Sequence, residues 1–358
     1  VFHNKKINIL DLSKKELLDS ILAINIAKFR GQQIWHWLYQ KGTTSFAQMT
    51  NLGKDIQNLL EQNFIIDRPI IKSTHQSQDG TCKWLVSFSD CKEVEVVFIP
   101  EKTRGTLCIS SQVGCTLSCK FCHTGTQMLV RNLTAYEIVA QVLIAKDFLK
   151  DWQQQKIITN IVFMGMGEPF FNYDNVATAV NILKDEDGLK FNKITISTSG
   201  LVPEILKCAN ELKTGLAISL HATNDNLRSE IMAINKKYPL QQLMQACKTY
   251  NIITKQRITF EYTLLNGIND SLEQARELIN LIKKNNVNAK INLIPFNFWQ
   301  GAIYQPSSLT TIGKFQKFLQ DHKLIATIRK TRGDQVLAAC GQLKSTSIRT
   351  KTSLDKKN

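Results

Sequence analysis

Gly114-Cys-Thr-Leu-Ser-Cys-Lys-Phe-Cys122 sets three thiols at Cys-x3-Cys-x2-Cys spacing, directly after a short β-branched run, Thr106–Ser110. Three thiolates can hold three irons of a 4Fe–4S cube and leave the fourth iron without a protein ligand. An open coordination position is what a metal centre needs to bind substrate or cofactor directly. A structural cluster or a zinc site normally closes its shell with a fourth ligand. Two bland readings compete: a zinc site closed by a remote Cys or by His123, and three unliganded thiols. His123 directly follows Cys122 and is poorly placed to share its metal.

Outward from this loop the pattern alternates between short β-branched runs and longer helical ones. Candidate strands are Thr106–Ser110, Ile158–Met164, Lys193–Thr198, Leu216–Leu220, Arg257–Leu265 and Ala289–Ile294. Between them lie helical stretches at Thr134–Leu149, Asn175–Leu183, Leu240–Tyr250 and Ser271–Lys284. Such an alternation predicts an α/β fold with a parallel sheet, because parallel neighbours need crossover connections. Periodicity does not decide between an open barrel and a doubly wound sheet. Before this core, Trp84–Ser89 and Val94–Ile99 read as an antiparallel hairpin. Residues 1–65 read as helices, with Ser13-Lys-Lys-Glu16 in the form of a capping box. The expected organisation is thus helical over 1–65, a β-hairpin extension over 66–103, the main domain over 104–322 and a C-terminal segment over 323–358.

Composition narrows the class. Lys and Arg outnumber Asp and Glu by 45 to 30, a formal net charge of +15, which points to a polyanionic partner such as nucleic acid. No stretch approaches the ~18 apolar residues of a membrane span. VFHNKKINIL lacks the apolar run and cleavage site of a secretory signal. Nine cysteines is an odd number for a disulfide framework. Together these features predict a reducing, cytoplasmic setting in which clustered thiols bind metal or do chemistry. The last stretch, STSIRTKTSLDKKN, reads as a solvated, mobile basic tail.

In a parallel α/β sheet the ligand site lies at the carboxyl ends of the strands. Those ends carry polar breaks: Met164-Gly-Met-Gly-Glu-Pro169, Ser197-Thr-Ser-Gly200, Ser219-Leu-His-Ala222 and Ile294-Pro-Phe-Asn297. Taken singly, each is an ordinary turn or cap. At one face beside a cysteine triplet, they favour a shared ligand. The triplet, with an aromatic before its last Cys, resembles the signature of the radical S-adenosylmethionine (SAM) superfamily, and Gly-x-Gly-Glu-Pro resembles its motif for the SAM amino group. The resemblance implies a partial (β/α)6 barrel and a 4Fe–4S cluster on Cys115, Cys119 and Cys122. It also implies SAM contacts from Gly167, Glu168, Ser199, Ser219, Leu220, His221 and Asn297.

A narrower resemblance lies in Arg332-Gly-Asp-Gln-Val-Leu-Ala-Ala-Cys-Gly-Gln-Leu343, Leu107-Cys-Ile-Ser-Ser-Gln-Val-Gly-Cys115, Phe29-Arg-Gly-Gln-Gln-Ile34 and Asn292-Leu-Ile-Pro-Phe-Asn297. These look like the RlmN family, which methylates C2 of adenine in 23S rRNA and in some tRNAs. That carbon is not nucleophilic, so it cannot take the methyl of SAM directly, whereas a thiolate can. By resemblance, Cys340 accepts a methyl from one SAM and a second SAM initiates its transfer. Cys108 then releases the RNA by forming a disulfide with Cys340, and Glu95 is the proton acceptor. Two SAM per turnover, an electron donor such as flavodoxin, and a monomeric enzyme are the accompanying expectations. Cys82, Cys91, Cys208 and Cys247 read as structural. Phe298-Trp-Gln-Gly301 lacks the prolines usual after the family's strand-six Asn. The alternatives are the sister family Cfr, which methylates adenine C8, and a non-catalytic iron–sulfur RNA-binding protein.

Overall fold

The computed structural model describes residues 6–152, 156–186, 193–330, 332 and 338–347. One open ten-stranded sheet organises the chain, and every strand neighbours its predecessor in sequence. Three antiparallel strands come first: β1 (Ile70–Gln76), β2 (Cys82–Ser87) and β3 (Glu93–Pro100). β3 pairs antiparallel with β4 (Gly105–Cys108), which opens a parallel series. The series continues through β5 (Asn160–Phe163), β6 (Ile194–Thr198), β7 (Gly215–Ser219), β8 (Ile258–Leu264), β9 (Ala289–Pro295) and β10 (Ile325–Ile328). The six expected core strands are all present. β10 is a seventh parallel strand, and β1 extends the hairpin; neither was expected.

Several parallel strands put large apolar residues on one face and smaller or polar ones on the other. In β8, Ile258, Phe260, Tyr262 and Leu264 are buried, and the Tyr262 ring lies 5.5 Å from Phe315 on a crossover helix. The intervening Thr259, Glu261 and Thr263 line cavities. Ile196 against Thr195, and Ile218 against Ala217, repeat the pattern. A doubly wound sheet would cover both faces with helices. Here residues from Ile99 round to Thr327 border a single lumen of about 500 Å³, so the sheet curves into a partial barrel.

The crossover helices form for local reasons. Helix α4 (Ala135–Leu149) starts at Thr134, whose side chain and Glu137 close a capping box. α9 (Leu272–Lys284) is capped the same way by Ser271 and Gln274. It buries Ala275, Leu278, Ile279 and Ile282, the i, i+3, i+4, i+7 stripe of a helix lying on a sheet. Each of the larger side chains contributes about 1.5–3 kcal/mol by leaving water. Between α4 and α9 run α5 (Tyr173–Glu186), α6 (Val202–Glu211), α7 (Asp225–Ile231) and α8 (Leu240–Thr254); α10 (Leu309–Asp321) follows β9. The N-terminal residues form α1 (Lys14–Ala23), α2 (Lys28–Tyr39) and α3 (Lys54–Asn63), with the Ser13–Glu16 capping box in place. They are not purely helical, since Ile7–Asn8 pairs in parallel with Phe64–Ile65. Arg68 ties this unit to the core, donating to the Gly42 carbonyl and pairing with Asp147 on α4.

Candidate active site

Every polar break singled out in the sequence lies at the carboxyl edge of the parallel strands. One cavity there, of about 150 Å³, is lined by Cys115, Cys119 and Cys122 together with Gly167, Glu168, Ser199, Ser219, His221, Asn297 and Cys340. Leu220, between Ser219 and His221, does not line it; it is fully buried, its N–H donating to Glu261 O (3.0 Å).

The geometry explains the residue types. Gly167 has φ of +98°, and a Cβ there would come within 2.5–2.8 Å of Gln112. Gln112 Oε1 accepts from the Glu168 N–H (2.9 Å), which locks the turn. The buried Glu168 carboxylate accepts from the N–H groups of Ser199 (2.8 Å) and Phe170 (3.1 Å), joining the ends of β5 and β6. Burial pushes its pKa up, partly offset by those donors. Ser199 Oγ lies near this carboxylate but has no partner at hydrogen-bonding distance. His221 adopts φ of +56°, and its Nδ1 accepts from the Thr263 N–H (2.9 Å). Burial, with Arg228 adding, holds its pKa down to about 3, so the ring is neutral. Phe121 of the cysteine loop packs edge-on against it, with centroids 4.4 Å apart.

The segment bearing Cys340 is threaded across this site. Gly341 O accepts from the His123 N–H (2.7 Å), and His123 Nδ1 bonds Gln342 O (3.2 Å). The His123 ring stacks on Trp299 at 4.7 Å. Asn297 Nδ2 donates to Cys340 O (3.1 Å), and Gln342 Nε2 donates to Phe298 O (2.9 Å). Gln127 Nε2 donates to Ser345 Oγ (3.0 Å) and Ser347 O (2.9 Å), while its Oε1 accepts from the Ser345 N–H (3.1 Å). Glu95 Oε2 accepts from the Lys344 N–H (2.8 Å), and its Oε1 pairs with Lys83 Nζ (2.8 Å). The expectation of a solvated tail is corrected at its start alone: Ser345 is buried and both it and Ser347 are bonded. Residues 348–358 of that tail, and 333–337 of the motif before Cys340, lie outside the described residues.

Cys108, at the end of β4, is buried and Cys340 is half-buried; both are free thiols. Burial pushes Cys108 up to about 12, the nearby Cys340 adds to this, and Arg329 opposes it. Burial also raises Cys340, again opposed by Arg329. Arg329 borders both the site and the barrel lumen beside Cys340. Glu95 is not on the cavity wall; the structure brings it to the tail instead.

Residues 109–282 match the family model of the radical SAM superfamily, and residues 7–66 match that of the ribosomal RNA large subunit methyltransferase N-terminal domain. A dual-specificity RNA methyltransferase RlmN from Rhodopseudomonas palustris (strain BisA53) is 48% identical over 364 residues, covering 95% of this chain and 90% of that protein. Its counterpart from Sinorhizobium fredii is 52% identical over 342 residues, covering 90% and 83%. A radical SAM methyltransferase from Sphaerobacter thermophilus, solved as a crystal structure, superposes with a TM-score of 0.88. It is 39% identical and covers 94% of this chain and 99% of that one. The chain belongs to the RlmN family.

Membership in this radical SAM family implies a 4Fe–4S cluster and SAM, and the residues present fit both. Burial and mutual repulsion raise the pKa values of Cys115, to about 12, and of Cys119, a cost that metal binding to the thiolates offsets. Cys115, Cys119 and Cys122 line one cavity, on a loop held to the strand ends. A cube distributes its thiolates over different irons. The orphaned Ser199 hydroxyl and the glycine-lined turn at Gly167 suit a polar ligand beside them.

Two parts of the site were missed in the sequence. One is the set of tail anchors, His123, Thr124 and Gln127, whose partners are more than two hundred residues away. The other is Arg228 on α7, which is fully buried. Its guanidinium donates to the carbonyls of Ser199 (2.7 Å), Ser219 (3.0 Å) and Leu220 (3.1 Å). Only the Asn224 cap before it carries a local signal, and that marks a helix rather than a site.

Proposed function

We propose that this chain is an RNA methyltransferase that adds a methyl group to C2 of adenine in 23S rRNA and tRNA. The observation that carries the reading is the convergence of the three clustered thiols, the strand-end polar groups and Cys340 on one cavity. Cys115, Cys119 and Cys122 hold the cluster; Gly167, Glu168, Ser199, Ser219, Leu220, His221 and Asn297 hold SAM. When bound, cluster and SAM together supply a 5′-deoxyadenosyl radical.

The chain's own chemistry centres on sulfur. Cys340 Sγ accepts a methyl group from a first SAM, the proton leaving as the thioether forms; Arg329 favours the thiolate needed for this step. With a second SAM bound, the 5′-deoxyadenosyl radical would take one hydrogen atom from the Cys340 S-methyl and leave as 5′-deoxyadenosine. The methylene carbon would bond adenine C2, one electron would return to the cluster, and the carbon would then link Cys340 Sγ to C2. The C2 proton is assigned to Glu95, whose carboxylate is bonded to the tail near Cys340. Cys108 Sγ then attacks Cys340 Sγ. An S–S bond forms as the C–S bond breaks, and the released carbon takes a proton to become the product methyl.

Residues 1–65 are assigned to RNA docking, 66–103 to the extension, 104–322 to the catalytic core and 323–358 to presentation of Cys340. The net charge of +15 suits a polyanionic substrate. No helix among the described residues is long and apolar enough to cross a membrane; a monomer in the cytoplasm, reduced by a flavodoxin-like donor, completes the proposal. Incubating cluster-loaded protein with SAM and dithionite tests the site. 5′-Deoxyadenosine is the expected product, and its absence would leave only a binding protein.

A further inference from the structure

Arg228 is enclosed, yet its donors all meet neutral acceptors. Besides the three strand-end carbonyls, Nη1 donates to Asn235 Oδ1 (2.9 Å). Asp225 is reached only through Asn235, whose Nδ2 donates to Asp225 Oδ1 (2.9 Å). A buried cation without a paired carboxylate is costly, and burial lowers this guanidinium's pKa to about 10. Packing alone would be served by an apolar side chain. The placement also joins two regions. Ile231, at the end of the same helix, accepts from the Lys120 N–H (3.1 Å), so α7 is bonded to the loop one residue after Cys119. Gly200 has φ of +110°, and a Cβ there would approach Arg228 Nη2 at 3.4 Å, showing how closely the strand ends wrap the guanidinium.

We propose that Arg228 is a positioning residue for SAM and cluster alike, through two separable properties. Its planar fork fixes the peptide planes of Ser199, Ser219 and Leu220, three residues assigned to SAM, so that the Ser199 hydroxyl and the His221 ring are presented to the cavity. Its positive charge, bonded to no carboxylate and beside the loop of Cys119, stabilises the more negative, reduced state of the cluster and raises its reduction potential. The inference rests on the SAM and cluster assignments above.

The test uses the full chain with reconstituted cluster as wild type, Arg228→Lys and Arg228→Met. Iron content, the SAM dissociation constant and the midpoint potential from an EPR-monitored titration are measured on each. Lysine keeps the charge but loses the fork. Arg228→Lys should therefore weaken SAM binding about ten- to a hundredfold while the midpoint stays near wild type. Arg228→Met should weaken SAM and also lower the midpoint. Wild-type SAM affinity in Arg228→Lys overturns the proposal, as does an unchanged midpoint in Arg228→Met. Should Arg228→Met fail to hold iron, Asn235→Ala takes its place; it loosens one arm of the fork and should weaken SAM at normal iron content, and unchanged affinity there is equally decisive. A wild-type protein that binds no SAM would refute the site assignment instead.

Discussion

Replacing Gln127 with Ala tests whether the tail is held by the cysteine loop. The side chain makes three bonds to the tail, two donated by Nε2 and one accepted by Oε1 from the buried Ser345 N–H. At about 1 kcal/mol net for each, removal costs the docked state about 3 kcal/mol, with some non-additivity because the three share one side chain. That corresponds to roughly a hundredfold rise in the open population. Amide hydrogen exchange reads it directly: Lys344, Ser345 and Ser347 should exchange about a hundred times faster in Gln127→Ala. The amides of α9, which lines neither cavity, should keep their protection. RNA methylation should fall while SAM cleavage persists, because the strand-end contacts are untouched. Exchange at Ser345 within about threefold of wild type would refute this reasoning.

Other substitutions separate the remaining roles. Cys108→Ala should leave RNA covalently attached through Cys340 after denaturation, whereas Cys340→Ala should give neither product nor adduct; gel analysis of denatured reactions distinguishes them. Cys119→Ala should lose iron absorbance and SAM cleavage together. Gly167→Ala forces a Cβ into Gln112 at positive φ, and should cost about 2–4 kcal/mol locally and abolish measurable SAM binding in a titration. His221 titrates at about 3 when folded against an ordinary 6.5. The unfolded chain therefore binds the extra proton between those values, and stability falls as pH drops through that window. Between about pH 7 and about pH 5 the wild type should lose about 2 kcal/mol that His221→Gln does not, read from urea denaturation.

What was legible in the sequence was local. The Cys115–Cys122 spacing, the Thr134 and Ser271 caps and the strand-end breaks each declare themselves within a few residues. β1 escaped because Ile70–Gln76 is an edge strand, exposed along most of its length and broken by a register shift between Ile71 and Ser73, so it shows no clean alternation. β10 is four residues long. Arg228 reads as one more surface charge on a short helix, since its targets are carbonyls and carry no sequence signature. The tail beyond Cys340 is polar, which matches solvation as well as it matches docking by Gln127 and Glu95. The contacts of Glu95 with Lys83 and the tail are likewise encoded by no single-strand pattern.

The central claim concerns the product. Mass spectrometry of nucleosides from 23S rRNA and tRNA treated with cluster-loaded protein, SAM and a reductant tests it most directly. The account predicts 2-methyladenosine, absent when Cys340→Ala replaces the wild type. 8-Methyladenosine, or unmodified adenosine from an enzyme that cleaves SAM, would contradict it.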